Sequence, residues 1–166
     1  MRTWKKAVGV ALMGVSVAAA RAEAQSGNIQ ALATVLAPIT ITAGANLDFG
    51  NVTPGVAKTV ALTDATSGRF DATGEASANV QISFTLPVDL VGPANLPIGS
   101  WTGCWNNTAS SSGAGCTAIA NMAGNTAASF GAGGALWVFV GGTVTPAAGQ
   151  AAGSYSANVT MTLSYL

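Results

Sequence analysis

From Gly153 to Leu166 the chain alternates. Tyr155, Ala157, Val159, Met161, Leu163 and Tyr165 occupy the odd positions, and Ser or Asn or Thr fills every even position from 154 to 164. Period two is the signature of a strand with one buried face, so a β-strand is predicted over 153–166. A second run keeps one apolar phase through Ile29, Ala31, Ala33, Val35, Ala37, Ile39 and Ile41. Pro38 interrupts it, because proline has no N–H to give to a sheet ladder.

Between these ends the same period recurs in short pieces. LDFGNV (47–52) and KTVAL (58–62) read as strands parted by a Thr53-Pro54-Gly55 turn, and GRFDATG (68–74) as a strand bounded by glycines. NVQISFTLP is the clearest internal strand: Val80, Ile82, Phe84 and Leu86 point one way, Gln81, Ser83 and Thr85 the other. Pro87, Pro93 and Pro97 predict an irregular stretch before Trp101. TAIANM and ASF are weaker strands, and GALWVFVGGTVTP is a strong one with a bulge or bend at Gly141-Gly142 and a core-facing Trp137. Many short strands with Gly and Pro punctuation, and almost no 3.6-residue period, indicate an all-β, antiparallel sandwich or barrel.

The first residues belong to a different class. Arg2, Lys5 and Lys6 precede an apolar run, Ala7–Ala20, and the small-residue site Ala22-Glu23-Ala24. This is the layout of a secretory signal peptide, and the run is too short to read as a membrane-spanning helix. The expectation is export through the inner membrane with cleavage after Ala24. Of the 166 residues, removing 24 leaves 142, enough for one domain with a real core.

Charge then changes the picture. Past Ala24 the basic residues are Lys58 and Arg69, against Asp48, Asp64, Asp71, Glu75 and Asp89, a net charge of −3. Nucleic acid, which needs a basic footprint, is not an expected partner. Leu90 to Leu166 holds no Asp, Glu, Lys or Arg, and the chain has no His. So uncharged a surface is poorly suited to remaining monomeric.

Chemistry is scarce. Without His, a nucleophilic Ser or Thr has only Lys58 or a carboxylate as base, so no enzyme and no catalytic residue is predicted. Asp71 and Glu75 flank Gly74 without calcium-loop spacing, and Arg69 is near enough to pair with either; ordinary surface charges explain them. Gly131–Gly134 lacks the lysine and the helix of a phosphate loop. No cofactor or metal is expected. Cys104 and Cys116 fall in the exported part, and an even count there favours a disulfide over a metal site, for which His or further Cys partners are missing. Trp101 and Trp105 beside that loop are candidate ligand-stacking residues.

The order of these landmarks resembles a family. ATVLAPITI, LDFGNVTPG, GRFDATGE ahead of NVQISFTLP, and GQAAGSYSANVTMTLSY are similar to chaperone–usher pilins of the archaic, spore-coat-U/Csu type, and to a related group of secreted domains of unknown function. In particular, Tyr165 is an aromatic at the penultimate position, Leu163, Met161 and Val159 alternate before it, and Gly153 is fourteenth from the end. The resemblance implies an immunoglobulin-like sandwich lacking its last strand, over 37–166, preceded by an N-terminal extension, 25–36. It implies a groove beside the terminal strand, lined by Gly153, Val159, Met161, Leu163 and Tyr165. A periplasmic chaperone would fill that groove first. At an outer-membrane usher it would be replaced by the extension of the next subunit, with Ile29, Ala31, Ala33 and Val35 as donor residues. The partners would be copies of the chain or related subunits, in the periplasm and then in a surface filament. In such pilins a disulfide often lies near the first strand, whereas here both cysteines lie mid-chain.

Three functional readings follow. The first is a secreted structural subunit that assembles by strand addition, a recognition mode in which backbone bonds join two chains. The second is a self-complete secreted sandwich binding a glycan or surface partner near Trp101 and Trp105, with Ile29–Ile41 as its own first strand. The third is a small outer-membrane barrel.

Overall fold

The computed structural model describes residues 25–108 and 113–166; the signal-peptide expectation lies outside them. The chain divides into two parts, 1–34 and Val35–Leu166. Of the first, residues 25–34 are described: they hold no strand and are all exposed, Ile29 at 98% and Leu32 at 87%.

The second part is an antiparallel β-sandwich, with ten strands among its described residues. They are β1 (Thr40–Ala45), β2 (Lys58–Val60), β3 (Gly68–Thr73), β4 (Asn79–Thr85), β5 (Asp89–Val91), β6 (Asn95–Asn106), β7 (Thr117–Ala118), β8 (Thr126–Ser129), β9 (Ala135–Val144) and β10 (Thr160–Tyr165). The larger sheet runs β1-β3-β9-β6-β5, with β2 beside β3 along the same edge of β9 and β7 on β6. The smaller sheet runs β10-β4-β8. Among the described residues the strands form two open sheets with apolar side chains between them, which is not the closed sheet of the barrel reading. No helix among them is long and apolar enough to cross a membrane.

Alternation decides which residues meet between the sheets. Val80 and Ile82 of β4 and Leu136, Val138 and Val140 of β9 are buried in one cluster with Ala72, Ala128, Phe130 and Met161. This corrects the reading of Trp137 as core. The even positions of β9 face the smaller sheet, so Trp137 is half-buried on the outer face, and Phe139 is buried there opposite Cys104. A second cluster gathers Phe49, Val60, Leu96, Ile98 and Val144.

Other elements also depart from the sequence reading. Residues 47–52 form a turn: the Asp48 carboxylate accepts from the Gly50 N–H at 2.7 Å, and Gly50 has φ +57°. The proline-rich stretch before Trp101 is mostly strand. Pro97 fits inside β6 because its carbonyl accepts from the Thr145 N–H at 2.9 Å. The N–H it lacks would face Thr145, just past the end of β9 at Val144, so the missing donor falls at the end of the ladder and not inside it. The bulge expected at Gly141-Gly142 lies across from it: Gly99 and Thr102 of β6 oppose Thr143 and Gly141, leaving two residues of β6 against Gly142. Ser100 there has φ +46°, and a Cβ on Gly142 would sit 3.2 Å from the Trp101 ring.

Candidate strand-docking cleft

The terminal alternation becomes a strand only over Thr160–Tyr165. Ahead of it the chain leaves the smaller sheet: Ser156 bridges Val91 of β5 through two backbone bonds, 2.9 and 3.0 Å. Likewise the expected run from Ile29 to Ile41 is strand only from Thr40, as β1. Pro38 accounts for the start, since the chain cannot join a ladder through it.

Among the described residues β10 pairs only with β4, and β1 only with β3. Among the described residues no ladder joins β1 to β10, although they flank one opening. The Tyr165 hydroxyl donates to the Ala37 carbonyl at 2.6 Å at one end. At the other end residues 43–54 and 150–159 face each other across a cleft of about 1050 Å³. The segments 37–54 and 150–165 therefore run in opposite directions along the two lips. Phe70, Leu90, Leu96, Ile98, Trp101 and Val144 are among the residues at its floor.

Burial falls off toward this opening. The β9 side chains of the first cluster are fully buried, while Ile39, Ile41, Phe70, Phe84, Leu163 and Tyr165 are only partly so. Phe70 of β3 and Phe84 of β4 meet across the sandwich with ring centroids 6.5 Å apart. Covering a half-exposed apolar side chain of this size contributes roughly 1 kcal/mol, so the rim as a whole favours an apolar occupant.

The exposed edge of β10 has the right backbone for one. Leu166 N–H donates to the Asn79 carbonyl at 3.1 Å, continuing the β10–β4 ladder. In an antiparallel pair hydrogen-bonded and non-bonded residues alternate. The even residues of β10 therefore bond β4, and the N–H and C=O groups of Met161, Leu163 and Tyr165 point to the open side. These same residues turn their side chains into the sandwich.

The predicted site residues thus separate into three groups. Gly153 and Val159 line the cleft, and Met161, Leu163 and Tyr165 follow on β10. Gly153 precedes the strand rather than belonging to it. Its φ is +151°, and a Cβ there would lie 2.5 Å from the Pro93 ring, which only glycine accommodates. Ile29, Ala31, Ala33 and Val35 are exposed, Val35 at 94%. Trp101 and Trp105 both lie on β6, partly buried against the core; only Trp101 lines the cleft. Cys104 and Cys116 form the expected disulfide, with Cα atoms 5.6 Å apart.

The acidic residues have local duties. Arg69 makes a two-pronged pair with Asp71, at 2.7 and 3.0 Å. Glu75 instead accepts from the Ala37 N–H at 3.0 Å. The sequence reading missed that role; the only trace of it was the Gly74-Glu75 pair closing GRFDATGE. Among the described residues no group of three His, Cys, Asp or Glu comes together.

No protein-family model matches the sequence. No curated protein matches it either. The reading of the cleft therefore rests on its geometry.

Proposed function

We propose that this protein is an exported structural subunit that assembles with copies of itself, or with related subunits, by strand addition, and that the cleft beside β10 receives the added strand. The observation that carries the reading is a β10 edge that, among the described residues, pairs with no strand on its open side, next to apolar side chains left half-buried at the rim. An edge of this kind is a template for another chain, and the missing strand is what the half-buried rim lacks.

Residues 25–36 of a neighbouring copy are the occupant that fits best. Gln25–Leu47 holds no charged residue, which suits the half-buried apolar rim along β10. Ile29, Leu32 and Val35 are nearly fully exposed, so this segment has apolar side chains to bury. Each copy then offers one donor and one acceptor, a head-to-tail arrangement that gives open filaments. A periplasmic chaperone and an outer-membrane usher belong to this proposal as the machinery for keeping the edge covered before assembly. The glycan-binding alternative loses support here, because Trp105 packs on the core and only Trp101 reaches the cleft.

The test is to export the mature chain, Gln25–Leu166, beside a version starting at Ala37, and run both unboiled on a denaturing gel. The full chain is expected to give a ladder of boiling-sensitive multimers and the shortened one none. A full-length chain that is folded and strictly monomeric at high concentration would remove the reading.

A further inference from the structure

The Tyr165 end of the opening between β1 and β10 is built from more than packing. The Tyr165 hydroxyl accepts from the Glu75 N–H at 2.7 Å and donates to the Ala37 carbonyl at 2.6 Å. The Glu75 carboxylate accepts from the Ala37 N–H at 3.0 Å. The Tyr165 ring is tilted against Phe130, centroids 6.3 Å apart. Gly74 leaves room for both rings: a Cβ there would lie 2.5 Å from Phe130 and 2.7 Å from the Tyr165 oxygen.

We infer that Tyr165, Glu75 and Ala37 form a clasp that closes the opening between β1 and β10 at the end away from the cleft and sets where an added strand must stop. A strand lying on β10 extends by finding free N–H and C=O partners. At Ala37 the N–H is held by Glu75 and the C=O by Tyr165, and Pro38 has no N–H. On the Ala37–Pro38 side of that junction no N–H is therefore left for an incoming strand. On β10 the backbone groups of Met161, Leu163 and Tyr165 face the open edge, and the cleft lies at the other end of the opening, toward residues 150–159. The clasp defines the register of the occupant from one side only. Its role in register rests on the strand-docking reading; its existence in the free subunit does not.

The two are separated by two readouts on the full mature chain. The first is amide exchange at Ala37, followed by NMR in the wild type and in Tyr165→Phe, Glu75→Ala and Glu75→Gln. Tyr165→Phe keeps the ring on Phe130 and removes only the hydroxyl. Ala37 exchange is expected to be roughly tenfold faster in Tyr165→Phe and Glu75→Ala. Glu75→Gln should restore part of the protection, because its amide oxygen still accepts. The core amides of Val80 and Ile82 should be unmoved, which a general loss of fold would not allow. The second readout is the temperature at which multimers dissociate, expected to fall in Tyr165→Phe and Glu75→Ala alike. Ala37 exchange unchanged in both variants would overturn the clasp. Faster exchange with multimers as heat-resistant as the wild type would overturn its role as a stop. Absence of multimers in the wild type would overturn the strand-docking reading, and Ala37 exchange would still decide the clasp.

Discussion

Tyr165 reaches across 128 residues of chain to place its hydroxyl 2.6 Å from the carbonyl of Ala37. This bond joins the two lips of a sandwich that is otherwise open between β1 and β10. The side of the fold left unpaired thus has a defined end. It also explains a requirement for glycine at position 74, where any side chain would meet Tyr165 and Phe130 together.

Gly74→Ala should therefore destabilise the subunit by about 1–3 kcal/mol, the usual cost of forcing an extra carbon into a packed interior. Denaturant unfolding followed by tryptophan fluorescence measures it. Midpoints equal to the wild type would mean that the two rings yield without cost.

Position in the burial gradient separates two leucines. Leu136 is fully buried between the sheets, whereas Leu163 is half-buried at the rim. Leu136→Ala should cost the isolated subunit about 3 kcal/mol and Leu163→Ala about 1 kcal/mol. In the assembled form the order should narrow, because an added strand completes the burial of Leu163. Unfolding curves of monomer and multimer fractions check both values.

The disulfide tests a different part of the fold. Cys104 and Cys116 lie 12 positions apart in the sequence, and Cys104 is buried on the outer face of the larger sheet beside Phe139. Losing the bridge, in a Cys104→Ala/Cys116→Ala double variant, should reduce stability by about 3 kcal/mol. Because neither cysteine lines the cleft, multimers that form should keep the same ladder spacing.

Much of this fold was legible in the alternation. β3, β4, β9 and β10 fall where period two placed them, and the disulfide where the cysteine count put it. What was not legible was local hydrogen bonding overriding pattern. LDFGNV has the apolar spacing of a strand, but the Asp48 side chain competes for the Gly50 N–H and makes a turn. Pro97 signals a break, yet its missing donor falls beyond the end of β9. Trp137 and Phe139 have core chemistry but the wrong phase, since β9 is covered on both faces and alternation cannot say which is the core. The apolar phase from Gly153 to Val159 was read as strand, whereas Ser156 pairs with β5 instead. Of the cleft, the β10 residues were visible in the sequence; the lip formed by residues 43–54 and the Glu75 contact were not, because both depend on long-range topology.

The most direct test of strand docking uses two folded variants that are each half competent. Val35→Asp places a charge in the donor segment, and Leu163→Asp places one at the rim of the acceptor. Each variant alone should remain monomeric by size-exclusion chromatography with light scattering. Mixed after brief partial unfolding, they should form a one-to-one dimer and nothing longer, because only one of the two possible junctions is intact. A mixture that stays monomeric while the wild type assembles, or a single variant that still builds a full ladder, would contradict the account.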